Sequence, residues 1–176
     1  MSADDRPTMV IGIGNVLLGD DGIGVHVVRE LERLAASGHL LAPDGTVFVD
    51  GGTRGLGLLD LLAGARAALF IDAATTGQPP GTVTSYDAAA LASSTGPGGL
   101  ADLLGAARVA GILPPVIAMV GVAPGEIGVG LELSEAVRGA FPAAVAESAR
   151  QLDRISSVVL PAGIPPAAPE VAGCAA

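Results

Sequence analysis

The sequence has few of the features that are typical of secreted or membrane proteins. It contains one cysteine, Cys174, so no disulfide can form within the chain. The opening stretch, MSADDRPT, is charged and lacks the apolar segment of a signal peptide. The longest uncharged run, residues 109–125, contains a Pro-Pro pair and is shorter than the roughly 20 residues that span a bilayer. We therefore expect a cytoplasmic protein with no membrane partner.

Basic and aromatic residues are also scarce. The nine basic residues are all arginine and face 18 acidic ones, for a net charge of −9; there is no tryptophan, one tyrosine and three phenylalanines. Nucleic-acid binding depends on clusters of lysine and arginine, so the charge argues against a nucleic-acid partner. Because 50% of the residues are apolar, the chain can bury a core of Ala, Val, Leu and Ile within one domain.

Short apolar runs alternate along the chain with segments of helical spacing. This alternation predicts an α/β fold whose mostly parallel sheet is covered on both faces. Ser134 is placed to cap the last helix. The domain is expected over residues 1–159, followed by a disordered Pro/Ala-rich tail over 160–176. Strands are predicted over residues 8–13, 46–50, 67–72, 81–87 and 116–122, and helices over 22–36, 55–65, 99–110 and 134–152.

Carboxylates follow the first three predicted strands. Asp20 and Asp21 come after the first strand, Asp50 ends the second and Asp72 ends the third. In parallel sheets, ligands bind beyond the carboxyl ends of the strands. If the first and third strands are neighbours, Asp21 and Asp72 face each other across a crevice. Converging carboxylates repel each other unless a cation lies between them, so one hypothesis is a metal site.

Local structural roles are the alternative for the same residues. Asp21 stands before Gly22, where it could cap a helix, while Asp50 and Asp72 stand where aspartates organise tight turns. The pattern alone leaves both interpretations open. The stretch GIGNVL has Leu17 where a dinucleotide fingerprint needs its third glycine, so no nucleotide is expected.

Four blocks of sequence together resemble a known family. They are GIGNVLLGDDGIGVHVV (residues 12–28), VDGGTRG (49–55), FIDA (70–73) and MVGVAP (119–124), in that order. The chain is similar over about residues 10–152 to the nickel–iron hydrogenase maturation endopeptidases. The resemblance implies a three-layer α/β/α fold with a five-stranded mixed sheet in the order 2-1-3-5-4, in which strand 4 is antiparallel.

The resemblance also implies an activity. Such enzymes remove a C-terminal extension from the precursor of the hydrogenase large subunit after nickel has been inserted. The precursor is therefore the expected partner, nickel carried by that precursor is the expected metal, and the enzyme is expected to be a monomer. A nickel ion already held by the cysteines of the substrate would need only carboxylates on the enzyme, since nickel prefers nitrogen and sulfur ligands to oxygen alone.

The site residues that the resemblance implies are only partly present. Asp21 and Asp72 match the two carboxylates of the family's metal-contacting trio, as catalytic and metal-contacting residues. The third member, a histidine, would stand at Gly96, and the candidate substitute is His26. Without that histidine, the alternative function is a non-catalytic checkpoint or chaperone that binds the nickel-loaded precursor. The residues expected on the rim of the site are Asn15, Asp20, Asp50, Gly51, Gly52 and Thr53.

Overall fold

A computed structural model describes residues 6–75, 77–87 and 99–158, and these contain one five-stranded sheet. The strand order is 2-1-3-5-4; strand 4 runs antiparallel to strand 5, and the other pairs are parallel. Order and direction confirm the predicted topology, including the pairing of the first and third strands. The strands are β1 (Thr8–Ile13), β2 (Thr46–Gly52), β3 (Ala67–Ala73), β4 (Val83–Asp87) and β5 (Val116–Val122).

Helices cover both faces of the sheet and give the predicted three layers. They are α1 (Ile23–Ala36), α2 (Leu59–Leu62), α3 (Gly99–Val109) and α4 (Glu135–Ser156). On one face α1 and α4 pack against Val10, Leu69 and Val120. On the other face α2 and α3 pack against the strand residues that alternate with these, including Ile11 and Phe70. Successive residues of a strand point to opposite faces, so a central strand with apolar residues at every position is buried on both.

The second helix is shorter than predicted. Leucines at helical spacing predicted a helix over residues 55–65, but a 3-10 turn occupies Gly55–Leu58 and α2 covers only Leu59–Leu62. Gly55 and Gly64 both adopt positive φ, a conformation that does not continue a right-handed helix. Two of these leucines, Leu58 and Leu62, are nevertheless buried in the core, whereas Leu56 is exposed.

The last helix begins as predicted and ends later. The Ser134 hydroxyl accepts a hydrogen bond from the backbone N–H of Val137 at 3.4 Å, which confirms the cap, and α4 continues to Ser156. No helix within the described ranges is both long and apolar enough to cross a bilayer. The predicted disordered tail over residues 160–176 and the expected histidine position, Gly96, lie outside the described residues.

The pairing of β1 with β2 contains a bulge beside the crevice. Gly12 pairs with Asp50, whereas the next residue, Ile13, pairs with Gly52, so Gly51 has no partner on β1. A Cβ at Gly51 would lie 2.9 Å from the carbonyl oxygen of Gly12 and 2.8 Å from the Ile11 side chain, which leaves no room for one. An irregularity of this kind changes which side chains a strand presents at its end.

Candidate active site

Glycines let the start of α1 pack directly against the ends of two strands. A Cβ at Gly24 would lie 2.1 Å from the carbonyl oxygen of Ile71 and 2.4 Å from that of Ile13. A Cβ at Gly12 would lie 2.3 Å from the carbonyl oxygen of Gly24. Real side chains do not tolerate such distances, so these glycines serve the close approach of backbone to backbone. This close approach brings the turn before α1 to the junction of β1 and β3.

Asp21 lies in that turn and its carboxylate is held by the loop before it. The backbone N–H of Asn15 donates to Asp21 Oδ2 at 2.7 Å. The backbone itself passes close by, since a Cβ at Gly14, where φ is +124°, would lie 1.7 Å from the Asp21 carbonyl oxygen. The N-cap of α1 is Gly22, with no side-chain hydrogen bond, so Asp21 does not cap the helix. The capping alternative for this residue is therefore wrong.

Asp72 is the last residue but one of β3 and shares a crevice with Asp21. Both residues line a cavity of about 310 Å³ at the carboxyl ends of β1 and β3. The pairing of these two strands brings the two carboxylates to one crevice, as expected from the sequence. The remaining lining residues are Ile13, Gly14, Gly52, Thr53, Gly55, Leu58, Ala73, Gly99 and Leu103.

The environment of Asp72 favours its protonated form. Burial raises the pKa of Asp72 to about 7, a hydrogen bond from the Ala73 backbone opposes this rise, and the nearby Asp21 carboxylate adds to it. A carboxyl group in a poorly solvated position beside a second carboxylate loses a proton at a higher pH than one in water. Near neutral pH the pair can therefore hold a proton, and a cation in the crevice would compete for the same oxygens.

Asp20 is not a rim residue, contrary to the expectation from the sequence. It is fully buried, and its carboxylate accepts three backbone hydrogen bonds, from Gly125 at 2.8 Å, Glu126 at 2.9 Å and Ser134 at 2.7 Å. Burial alone would raise the pKa of Asp20, but the donated hydrogen bonds hold it below its usual value. Asp20 therefore ties the loop before α4 to the turn before α1.

The four consecutive rim residues predicted at the end of the second strand, residues 50–53, do not all lie at the crevice. Gly52 and Thr53 line the crevice, as predicted for rim residues. Asp50 does not: its Oδ2 accepts from Arg29 Nη2 at 2.6 Å in an exposed ion pair, and the carboxylate is not among the crevice walls. Gly51 is buried behind the crevice. Asp50 keeps its regular partner Gly12, and its side chain points to the face covered by α1, where it pairs with Arg29 and lies outside the crevice wall formed by Gly52 and Thr53. The expected position of Asp50 on the rim is therefore wrong.

Asn15 supports the loop rather than lining the crevice. Its backbone N–H donates to Asp21, and its side-chain Oδ1 accepts from the N–H of Leu17 at 3.0 Å, an Asx turn. Asn15 thereby shapes the chain between β1 and Asp21. The structure gives this predicted rim residue a positioning role.

His26 lies in a different groove from the two carboxylates. It lines a cavity of about 380 Å³ between α1 and α4, together with Arg29, Arg138 and Phe141. Its Nε2 is buried and has no hydrogen-bond partner among the described residues. Burial and the neighbouring Arg29 lower the pKa of His26, against a smaller raising effect of Asp50. His26 is absent from the walls of the Asp21–Asp72 crevice, so the structure does not support it as the third ligand.

The crevice has two acidic side chains and an apolar wall. Across residues 6–75, 77–87 and 99–158, no group of three or more His, Cys, Asp or Glu side chains is arranged to hold a metal ion. The wall formed by Leu58 and Leu103 was not identified as part of the site from the sequence. Both were visible only as members of helical leucine patterns, which indicate burial and not position.

The chain is similar in sequence and in structure to proteins of one family. A family model described as hydrogenase maturation protease matches residues 25–151. The hydrogenase expression/formation protein HupD of Rhodobacter capsulatus is 38% identical over 152 residues, covering 82% of this chain and 70% of that protein. The hydrogenase 2 maturation protease of Escherichia coli is 35% identical over 123 residues, covering 66% of this chain and 72% of that protein. The solved structure of the hydrogenase maturating endopeptidase HybD from E. coli superposes with a TM-score of 0.73 at 30% identity, covering 84% of this chain and 93% of that one.

Proposed function

This chain belongs to the hydrogenase maturation protease family, a family of peptidases, and we propose that it removes the C-terminal extension of a nickel–iron hydrogenase large-subunit precursor after nickel insertion. The observation that carries the proposal is the meeting of Asp21 and Asp72 in one crevice at the ends of β1 and β3. Two carboxylates at such a position are suited to bind a cation or to act as general acid and base.

Nickel enters this proposal as part of the substrate. The described part of the crevice supplies oxygen ligands from two aspartates and no nitrogen or sulfur ligand, whereas nickel prefers the latter. A nickel ion held by cysteines of the precursor would bring its own sulfur ligands and need only oxygen contacts from Asp21 and Asp72. The enzyme would then recognise loaded precursor and leave unloaded precursor uncut.

The arrangement of Asp21 suits it to act as a general base in peptide hydrolysis. The Asn15 N–H takes only one of the roughly four lone-pair sites of the Asp21 carboxylate, so sites remain both to contact a cation and to accept a proton from water. The water oxygen then attacks the scissile carbonyl carbon, the C–N bond breaks, and the proton passes to the leaving amine. The glycines at positions 52 and 55 leave space along the crevice for an extended peptide.

A second candidate function is a checkpoint that binds the loaded precursor without cutting it. The observation in its favour is that, within the described ranges, nothing completes a three-residue metal group around Asp21 and Asp72. A protein of this kind would protect the precursor until another enzyme cleaved it. The two candidates differ in one product, the released C-terminal peptide.

The deciding experiment is cleavage of purified precursor. Large-subunit precursors of the source organism, each with its C-terminal extension, are incubated with the enzyme with and without prior nickel loading, and the product is weighed by mass spectrometry. We expect a shortened subunit only from nickel-loaded precursor. Binding of intact loaded precursor, with no shortened product, would favour the checkpoint.

Asp21→Asn and Asp72→Asn are the matched variants for this assay. Each keeps the size of the side chain and removes its charge, and loss of a general acid or base typically lowers the rate on the order of 10²–10⁴-fold. The circular dichroism spectra should stay unchanged. Normal cleavage by both variants would contradict the role given to the carboxylates.

A further inference from the structure

Four large apolar side chains are exposed on two neighbouring segments, the loop before α4 and the loop before Asp20. We call them the apolar patch: Leu17, Ile127, Val129 and Leu131, with 58%, 54%, 97% and 68% of their surface exposed. Single exposed apolar residues are ordinary, but clustered ones mark interaction sites. The clustering, rather than the exposure of any one of them, indicates a surface that binds a partner.

Backbone hydrogen bonds hold the two segments of the patch together. The N–H of Gly19 donates to the carbonyl of Gly130 at 2.9 Å, and the N–H of Gly130 donates to the carbonyl of Leu17 at 3.0 Å. The buried Asp20 carboxylate accepts from both ends of the loop before α4, at Gly125, Glu126 and Ser134. The patch is therefore a preorganised surface, which loses little conformational entropy when it binds.

The same loop encloses a hollow with acidic and apolar walls. The hollow has a volume of about 310 Å³, and its walls include Val129 and Leu131 of the patch together with Glu126 and Glu132. Both glutamates line the hollow, and neither side chain forms a hydrogen bond or ion pair with another described residue. A cavity with apolar walls and carboxylates at its edge fits a basic side chain, which buries its aliphatic stem and keeps its charge at the edge.

We propose that the apolar patch and this hollow form the docking surface for the protein substrate, and that they bind a segment carrying apolar residues and an arginine or lysine. The inference rests on the proposed function for the identity of that substrate, the large-subunit precursor. The position supports it, because the Leu17 N–H donates to Asn15 Oδ1 at 3.0 Å and the Asn15 N–H donates to Asp21 Oδ2 at 2.7 Å, so two hydrogen bonds connect the Leu17 end of the patch to the crevice. A segment held on the patch is thus anchored next to the crevice in which its extension would be cut.

Charge distinguishes this occupant from a second copy of the chain. A protein with a net charge of −9 repels another copy, and the unpaired glutamates of the hollow add to that repulsion at the patch itself. A basic segment would supply the positive charge that Glu126 and Glu132 lack at the hollow. The surface is complementary to a partner of the opposite sign.

The test compares two double variants with the same chemical change. Val129→Ser/Leu131→Ser removes the centre of the patch, and Val109→Ser/Leu41→Ser is the control, since Val109 and Leu41 are 93% and 94% exposed at the end of α3 and in the loop before β2. For the patch variant we expect the KM for nickel-loaded precursor to rise roughly tenfold with kcat nearly unchanged, because docking away from the reacting bond contributes equally to ground and transition states. The control should match the wild type in both constants.

A charge variant tests the hollow independently. Glu126→Gln/Glu132→Gln should raise KM several-fold at low salt. It should also make KM less dependent on salt than in the wild type, because the attraction between the glutamates and the basic segment, which salt screens, has been removed. Equal KM values for wild type, patch variant and charge variant would overturn the inference. So would a concentration-dependent dimer of the wild type that the patch variant abolishes, since the patch would then be an interface between copies.

Binding measured without cleavage separates this inference from the proposed function. The dissociation constant for loaded precursor is determined by biolayer interferometry for Asp21→Asn with and without the patch substitutions, so that both proteins lack the same crevice carboxylate and neither cuts. If the wild type does not cut the precursor, and the patch substitutions weaken binding about tenfold in the Asp21→Asn background, the docking surface stands and the peptidase proposal fails. Cleavage by the wild type, together with unchanged binding by the patch variant, would support the peptidase proposal and overturn the docking surface.

Discussion

Asp20 accepts three backbone hydrogen bonds from the loop before α4, whereas the adjacent Asp21 accepts one from Asn15 and lines the crevice. One carboxylate therefore stabilises the fold, and its neighbour is available for chemistry. The two roles predict different consequences for the same substitution. Asp20 variants should lose stability, and Asp21 variants should lose activity.

Removing the Asp20 carboxylate should destabilise the protein strongly. Asp20→Ala leaves three N–H donors without a partner in a buried position, at a cost of about 1–3 kcal/mol for each donor that water cannot reach. Asp50→Ala is the control, because its exposed ion pair with Arg29 contributes about 0–1 kcal/mol. Urea denaturation of both variants measures the difference, and equal midpoints would contradict the structural role of Asp20.

The lowered pKa of Asp20 also gives its contribution a pH dependence. A carboxyl group with a pKa lower in the folded than in the unfolded state adds stability above its unfolded pKa. That stability is lost as the pH falls below about 4 and through the lower folded value. The stability difference between wild type and Asp20→Ala should therefore narrow in acid.

The raised pKa of Asp72 predicts the opposite dependence. Because this carboxyl group titrates at about 7 when folded, its ionisation makes the folded state less stable as pH rises from its unfolded value of 3.8 to 7. Asp72→Asn should thus be more stable than the wild type at pH 8, by roughly 2 kcal/mol after allowance for solvent, and equal to it near pH 4. Thermal unfolding at the two pH values measures the change.

A direct titration tests whether burial and the Asp21 charge raise the pKa of Asp72. Carbon-13 NMR of the side-chain carboxyl groups should show Asp72 titrating near 7 in the wild type and lower in Asp21→Asn, where the repulsion is gone but the burial remains. An Asp72 that titrates near its ordinary value would mean that water solvates the crevice fully. In that case neither the raised pKa nor the stability difference would be found.

The glycine at the start of α1 should not tolerate a side chain. In Gly24→Ala the new Cβ would lie 2.1 Å from the Ile71 carbonyl oxygen, so α1 must move away from β3. We expect a loss of about 3 kcal/mol or more, the range of severe overpacking. Gly105→Ala in α3 is the control: its Cβ would meet no atom within 4 Å, and a gain of about 0.5–1 kcal/mol is expected from helix propensity. Similar melting temperatures for Gly24→Ala and Gly105→Ala would contradict the close packing of α1 against β3.

Free nickel should bind the isolated protein weakly. Asp21 and Asp72 supply oxygen ligands only, so calorimetry should show little heat at micromolar Ni²⁺. His26→Ala should leave that result unchanged, because His26 lines a separate groove. Gly96→His, which restores the histidine implied by the family resemblance, should tighten binding. Tight binding by the wild type that His26→Ala abolishes would contradict the position assigned to His26.

The order of elements followed from local patterns. Apolar runs predicted all five strands within a few residues, and the family resemblance supplied the strand order that the structure confirms. Local patterns were sufficient because a buried strand or an amphipathic helix repeats its apolar residues with a period that can be read along the chain. The bond from Ser134 to the start of α4 was predictable for the same reason, since a cap acts over one turn.

The roles of the individual carboxylates depended on tertiary structure. Nothing in the local sequence distinguishes Asp20 from Asp21, because the donors that bury Asp20 come from residues more than 100 positions away. Asp50 was misplaced because the chain alone did not show which face of the sheet its side chain takes: it points to the α1 face and pairs with Arg29. Only the assembled sheet brings Asp21 to Asp72, where burial and mutual repulsion raise the pKa of Asp72. Hydrogen bonding, burial and charge act through space, so these properties were decided by the fold and not by the neighbours of each residue in the chain.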